Sequence, residues 1–180
     1  MREALRADFN RYYDLLPKTY TRWQRFIFFL SCPGLWAILD FRFRQWLLPQ
    51  PRWIRLIFLW PVFLGHTWLS VFTGISIKTA ATIGKGFYIG HYGGIFIHPE
   101  AVLGEGCSVS QGVTIGVGGR GENCGVPTVG NNVYFAAGCK VFGKITIGNN
   151  VQIGANAVLF KSVPDGATAV GVPARIIERG

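Results

Sequence analysis

The chain has 180 residues, of which 49% are hydrophobic and 15% are charged, and its formal net charge is +9. This composition excludes an intrinsically disordered chain, which combines low hydrophobicity with high charge. The 24 glycines follow no G-X-Y period, which excludes collagen. The four cysteines form no CxxC pair, which disfavours a zinc ribbon, a redox dithiol and a disulfide scaffold. The N-terminal residues mix both charges without an apolar stretch, so we expect no signal peptide and a cytoplasmic protein.

Two compositions meet near residue 75. Residues 1–78 hold all six tryptophans and only three glycines, and their eleven basic residues outnumber four acidic ones. The remaining residues hold 21 glycines and no tryptophan. We therefore expect two domains, a helical, aromatic and basic segment over residues 1–74 and a repeat domain over residues 75–180. Within the first, we expect one helix in residues 1–15 and another from Pro33 to about residue 48, since proline suits the first turn of a helix.

The apolar part of the front segment leaves three structures open. Residues 56–77 contain no charged side chain, although Pro61, Gly65 and His66 interrupt the run. They can form a buried cap or oligomer contact, a helix on the membrane surface, or a true span. Before this run, over residues 22–55, aromatic residues alternate with arginines, which suits an anionic membrane better than nucleic acid, because the arginines are embedded in apolar runs. The arginines are Arg22, Arg25, Arg42, Arg44, Arg52 and Arg55.

From residue 77 onward, apolar residues recur every six positions. This period is typical of a parallel β-helix, in which each hexapeptide makes one short strand and one turn. Glycine follows the apolar residue at half of the positions, and we attribute it to a turn conformation that a side chain disfavours. The fourth position after it is usually small, so we expect Cys107 and Cys139 to be core residues. The apolar positions are Ile77, Ile83, Ile89, Ile95, Ile97, Leu103, Val109, Ile115, Val129, Phe135, Val141, Ile147, Ile153 and Leu159.

The repeats predict about four coils with one interruption. Residues 116–128 are rich in glycine and lack apolar alternation, so we expect a loop that protrudes from the solenoid. Long loops in a regular scaffold are more often functional than decorative.

Four stretches of the repeat domain resemble the hexapeptide acyltransferases, and among them the serine acetyltransferase-like branch. They are FYIGHYGG at 87–94, VSQGVTIG at 109–116, GNNVYFAAG at 130–138 and VPDGATAVGVPAR at 163–175. The resemblance implies a mainly β fold, a left-handed parallel β-helix with an N-terminal α-helical segment. It also implies a homotrimer that holds acetyl-CoA as co-substrate in the groove between neighbouring protomers.

The resemblance assigns the catalytic base to His91, because histidine can exchange a proton near neutral pH. We expect His98 to make a structural hydrogen bond at a coil corner, and His66 to be a satisfied or interfacial histidine. No metal is expected, because the two histidines of the repeat domain do not have the spacing of a three-histidine site.

Residues can also be proposed for binding the coenzyme and the acceptor. For the coenzyme, the resemblance points to small residues that let a pantetheine arm approach the backbone, and three cations could meet its phosphates. These are Ala136, Ala137, Gly154, Ala155, Lys140, Lys161 and Arg175. For the acceptor, the loop offers Arg120, Glu122 and Asn123, which a solvated loop would explain equally well.

Three positions depart from the serine acetyltransferase pattern. Val126 stands where that family has a second histidine, Gly90 where it has an aspartate before the base, and Ser76 where it has an acid that orients the base. A backbone carbonyl or Ser76 is left to orient the His91 ring. A zwitterionic acceptor needs charged partners.

These departures favour a different acceptor, which is the main hypothesis from the sequence. It is a polysaccharide-type O-acetyltransferase that acts on a sugar hydroxyl of a surface polysaccharide or its lipid-linked precursor, at the inner face of the cell membrane. The alternatives are a serine O-acetyltransferase of cysteine synthesis and a non-catalytic trimeric membrane scaffold.

Overall fold

A computed structural model describes residues 1–121 and 124–178. The chain begins with four helices: α1 (Arg2–Asp14), α2 (Arg22–Leu30), α3 (Pro33–Leu47) and α4 (Arg52–Thr73). A capping box between Thr21 and Gln24 starts α2, and Pro33 occupies the first turn of α3. Gly74, with a φ of 65°, ends α4 in a left-handed conformation that suits glycine. The two helices expected from the sequence are confirmed.

After α4 the chain forms strands that are two or three residues long and belong to three sheets. Sheet A contains β1 (Ile75–Ile77), β4 (Ile95–Ile97), β7 (Thr114–Gly116), β10 (Lys140–Phe142) and β13 (Val158–Leu159). Sheet B contains β2 (Thr82–Ile83), β5 (Val102–Leu103), β8 (Thr128–Val129) and β11 (Thr146–Ile147). Sheet C contains β3 (Tyr88–Ile89), β6 (Ser108–Val109), β9 (Tyr134–Phe135), β12 (Gln152–Ile153), β14 (Thr168–Val170) and β15 (Arg175–Ile177).

The strands stack as a parallel β solenoid. The chain visits sheets A, B and C in turn, and each strand pairs in parallel with the strand one coil later, as in Ile77 with Ile97 and Ile97 with Ile115. Five strands of sheet A mark about five coils, one more than the repeats predicted. Among the strands of the described residues, β15 alone runs antiparallel, against β14, at the far end. The expected left-handed β-helix with its helical N-terminal segment is confirmed.

The core of the solenoid follows the hexapeptide positions. All fourteen apolar positions predicted from the repeat are buried, from Ile77 to Leu159. Cys107 and Cys139 are fully buried as expected, and burial raises the pKa of the Cys139 thiol to about 12. Protonated thiols of this kind behave as small apolar side chains.

The expected reason for the repeat glycines is wrong. Among the glycines after apolar positions, Gly84 and Gly104 have no positive φ; a Cβ on Gly84 would lie 2.6 Å from the Glu105 backbone nitrogen. A Cβ on Gly104 would lie 2.6 Å from the Gly130 carbonyl oxygen. These glycines are required because backbones of successive coils approach closely at this corner. The left-handed conformations occur two residues later, as at Gly106 and Asn132.

Side chains of α1 and α3 cap the open end of the first coil. Arg42 Nε lies 2.8 Å from Asp8 Oδ2, and both side chains are buried. The same guanidinium donates to the carbonyls of Ile83 and Gly84, while Asp8 accepts from the Phe87 amide at 2.8 Å. The pair therefore supplies the hydrogen bonds that a preceding coil would otherwise provide.

Two further side chains extend this cap. Tyr12 Oη accepts from the Ile89 amide at 3.1 Å and donates to the Ile89 carbonyl at 3.0 Å. Arg44 donates to the Ile77 carbonyl at 3.0 Å and is paired with Asp40 at 2.8 Å. The expectation that Arg42 and Arg44 face a membrane is thus wrong, because both are buried and bonded within the chain.

Most of the surface of helix α4 is exposed to solvent. Only 6% of its most apolar 18-residue stretch is buried, so α4 is not a cap that the rest of this chain covers. It is the one helix of the described residues that is long and apolar enough to cross a membrane, although a bent pair of α2 and α3 meets the same test together. Its exposed apolar residues are Trp53, Leu56, Ile57, Leu59, Trp60, Phe63, Leu64, Trp68, Val71 and Phe72.

Candidate active site

His91 lies two residues after the end of β3, at the edge of the solenoid where sheet C passes to sheet A. Its side chain is exposed. In the described part of the chain, no group hydrogen-bonds to the His91 ring, so neither Ser76 nor a carbonyl orients it within one protomer. The ring is free to meet a ligand or a neighbouring copy.

A cavity of about 190 Å³ opens beside His91. The turn between α2 and α3 contributes Ser31 and Cys32 to its wall, and the first coil contributes Tyr88 and Tyr92. Burial raises the pKa of the Cys32 thiol. Burial is also the largest cause of the raised pKa of the Tyr88 hydroxyl. The wall is therefore uncharged, with hydroxyl and thiol groups that can hydrogen-bond a small polar molecule.

Sequence reasoning missed these wall residues. Cys32 is 59 positions before His91, and only the docking of α3 on the first coil brings them together. This docking is close, because a Cβ on Gly34 would lie 2.6 Å from the Ile89 carbonyl oxygen. Tyr88 and Tyr92 flank His91 in the sequence, and this aromatic pair was the available signal.

The small residues proposed for the coenzyme lie on the same edge as His91. Ala136 and Ala137 follow β9, and Gly154 and Ala155 follow β12, where sheet C again passes to sheet A. The amides of Ala136 and Gly154 already donate to carbonyls of the next coil, at 2.9 and 2.8 Å. These two amides are therefore not available to a pantetheine arm, so any role of Ala136 and Gly154 rests on their small size.

The proposed phosphate-binding cations are spread over the solenoid. Lys140 lies in sheet A and donates to the Gly112 carbonyl and, at 3.1 Å, to Thr114 Oγ1, so it joins two coils. Lys161 is exposed at the edge between sheets A and B, and Arg175 begins β15. Within one protomer the structure does not bring the three together.

The loop at 116–128 lies at the edge between sheets A and B, not at the edge that carries His91. An antiparallel bridge joins Gly118 to Gly125 at its base, and a Cβ on Gly125 would touch Lys144 of the fourth coil. Arg120 is exposed, and the proposed acceptor residues Glu122 and Asn123 lie outside the described residues. The loop base thus packs toward the fourth coil, whereas His91 belongs to the first.

The other two histidines have structural partners, as expected. Nδ1 of His98 accepts from the Glu100 amide at 3.2 Å at a coil corner. Nδ1 of His66 lies 3.0 Å from Asp40 Oδ2, which ties α4 to α3. Among residues 1–121 and 124–178, no group of three or more His, Cys, Asp and Glu residues is placed to hold a metal ion.

Comparison with known proteins decides the family. The chain is 36% identical to a serine acetyltransferase of Synechococcus elongatus over 179 residues, which cover 99% of this chain and 70% of that protein. The chain belongs to the serine acetyltransferase family. No family model matches it. It spans about half the length of its relatives from Bacillus pumilus and Staphylococcus aureus, at 49% and 51%.

Solved structures agree with this assignment. A serine acetyltransferase of Brucella abortus in complex with coenzyme A is 32% identical, with a TM-score of 0.80 over 99% of this chain and 68% of that one. A Neisseria gonorrhoeae serine acetyltransferase in complex with serine is 27% identical, with a TM-score of 0.75 over 98% of this chain and 68% of that one.

These matches confirm the hexapeptide acyltransferase resemblance and overturn the polysaccharide hypothesis. Similarity over almost the whole chain, helical segment included, connects it to serine acetyltransferases. The departures at Ser76, Gly90 and Val126 are weaker evidence about the acceptor than this similarity. Three missing polar groups exclude one way to hold an amino acid, but they do not exclude others in the same fold. The alternative, serine O-acetyl transfer, is favoured.

Proposed function

We propose that the protein is a serine O-acetyltransferase that uses acetyl-CoA as the donor. The observation that carries the proposal is the exposed His91 ring, which borders a 190 Å³ cavity in a chain of this family. The cavity is large enough for a free amino acid. Its hydroxyl and thiol groups can replace some of the polar contacts that Gly90 and Val126 do not provide.

The chemistry requires one base and a direct transfer. His91 takes the proton from the serine hydroxyl as its oxygen attacks the thioester carbonyl. Backbone N–H groups stabilise the oxyanion. Collapse of the intermediate breaks the carbon–sulfur bond, and the proton held by His91 passes to the leaving sulfur. The products are O-acetylserine and free coenzyme A, with no acyl-enzyme.

We further propose that the working unit is a homotrimer. His91 and the loop residue Arg120 lie on different edges of one solenoid, and the strands of sheet A lie between those edges. An acceptor that needs both would have to bind between neighbouring copies. We also propose that the chain divides into two domains after residue 74. The small residues at the edge that carries His91 would then bind the coenzyme.

The location that we propose is the cytoplasm, at the inner face of the cell membrane. The support is the apolar surface of α4, of which little is covered by the rest of the chain. Arg52 and Arg55, both exposed, lie at its first turn. Cations beside an exposed apolar helix favour an anionic membrane surface.

The test is release of thiol from acetyl-CoA, with and without L-serine. We expect serine-dependent release that His91→Ala abolishes while coenzyme A binding persists. The matched control is His98→Asn, because asparagine can accept the same turn hydrogen bond from the Glu100 amide. Release that does not depend on serine, or an active His91→Ala variant, would contradict the proposal.

A further inference from the structure

A cavity of about 400 Å³ lies between α3, α4 and the first coil, away from His91. Leu47, Val62 and Phe63 give it an apolar wall, and Arg55 and Lys78 stand at its margin. None of its lining residues is acidic. The cavity thus combines apolar surface with positive charge.

Its cations differ in what they already bind. Arg44 is buried and bonded to Asp40, Thr79 and the Ile77 carbonyl. Arg55 and Lys78 are exposed, and within the described residues neither side chain has a hydrogen bond or an ion pair. Two unpaired cations beside an apolar wall can neutralise an anionic group and leave its apolar part in contact with the wall.

The apolar wall continues out of the cavity along α4. Leu59 and Phe63 line the cavity and, together with Trp60, also line a second depression of about 270 Å³ on the exposed face of α4. A third depression beside them is lined by Arg55 and Leu59 with Arg52 and Leu56. One ligand can therefore place an anion near Arg55 and an extended apolar chain along Leu59, Trp60 and Phe63.

We propose that this cavity binds an anionic phospholipid, with its phosphate between Arg55 and Lys78 and an acyl chain along α4. Charge decides between a lipid and a second copy of the chain. From Arg52 to Thr73 there is no acidic residue, so pairing two α4 helices would leave the arginines unneutralised. An anionic leaflet neutralises them and covers the apolar surface at the same time.

The proposal rests on the membrane contact proposed above and not on acetyl transfer. Helix α4 has 22 residues, which corresponds to about 33 Å at 1.5 Å per residue. Its inward stripe, Ile54, Phe58, Val62 and His66, is half-buried, whereas the opposite face is exposed. A helix held along one side by protein suits partial burial in a leaflet, with the cavity at the level of the headgroups.

The experiment uses the full chain and two kinds of lipid. Binding of short-chain phosphatidylglycerol, below its micelle concentration, is titrated by tryptophan fluorescence, with inorganic phosphate as the comparison. Flotation then compares phosphatidylcholine vesicles with vesicles that also contain phosphatidylglycerol. The variant is Lys78→Glu with Arg55→Glu, both on exposed side chains. The control with the same change in net charge is Lys144→Glu with Lys18→Glu, both on exposed side chains; Lys144 lies three coils away at the same edge.

We expect saturable binding of the soluble lipid, weakened roughly tenfold or more by the double variant and unchanged by the control. Inorganic phosphate that binds as tightly would overturn the lipid assignment in favour of a phosphate site. If the double variant binds the vesicles as well as the unchanged protein does, the cavity is not the lipid site, although the membrane contact is retained. If the protein binds neither kind of vesicle, both the lipid site and the membrane contact are wrong. Serine-dependent thiol release from the same preparations reports separately on the proposed enzyme activity.

Discussion

The helical segment and the solenoid use their apolar residues in opposite ways. In the solenoid, every apolar position of the repeat points into the core, and backbone groups pair with the next coil. In α4, most of the large apolar side chains point outward, and the inner side of the helical segment carries the buried charge pair Asp8–Arg42. The comparison shows that hydrophobic content alone does not locate a core. In the solenoid, the period of the apolar residues shows which of them form the core. In the helical segment, the neighbouring elements decide which apolar residues are buried.

The largest expected effect comes from breaking the charge pair that joins the two regions. Arg42→Ala leaves the Asp8 carboxylate buried without its partner and removes two hydrogen bonds to first-coil carbonyls. We expect the free energy of unfolding to fall by about 3–5 kcal/mol. Urea unfolding followed by circular dichroism measures this loss. The control is Arg6→Ala on the exposed side of the same α1 helix, and equal midpoints for the two variants would refute the cap.

A pair of glycine substitutions tests the difference between the regions directly. In Gly104→Ala, the new Cβ would lie 2.6 Å from the Gly130 carbonyl oxygen, so we expect a loss of about 1–3 kcal/mol of stability. In Gly65→Ala, on α4, the new Cβ meets nothing within 4 Å, so we expect a gain of about 1 kcal/mol from helix propensity. Thermal unfolding of both variants gives the signs, and the same sign for both would contradict the comparison.

A smaller effect than the loss of the charge pair is expected on the pH dependence of stability. Burial raises the pKa of Cys139 from 9.0 to about 12, so above pH 9 the unfolded thiol ionises while the folded one stays protonated. The folded state then binds more protons, and this contribution to stability is lost as pH rises from 9 toward 12. We expect a loss on the order of 1 kcal/mol at one pH unit above 9, which Cys139→Ala should remove. Parallel stability curves for the two proteins would show that the thiol is not buried as described.

The repeat made the solenoid predictable, while the front segment was only partly so. Ile77 to Leu159 could be assigned to the core because a coil buries one residue per hexapeptide at fixed spacing. Arg42 and Arg44 could not be assigned, because their partners Asp8, Ile83 and Ile77 are set by docking between distant segments. The same limit applies to the repeat glycines, whose constraint comes from a neighbouring coil.

The candidate site shows the same division. His91 could be proposed from its motif, but Ser31 and Cys32 reach its cavity only because α3 packs on the first coil. The sugar acceptor expected from the sequence was wrong for a related reason. Individual positions show which side chains are missing, whereas the partners of a ligand depend on every element that borders the site.

The solenoid, its core and the candidate base could be predicted from the amino-acid sequence, because they depend on a local period and a short motif. The folded chain was needed to show which arginines are buried, which face of α4 is exposed and which residues share a cavity with His91. Burial and pairing could not be predicted because they are properties of contacts between distant segments. An arginine in an apolar run has the same local sequence whether it meets a carboxylate, a strand end or a membrane.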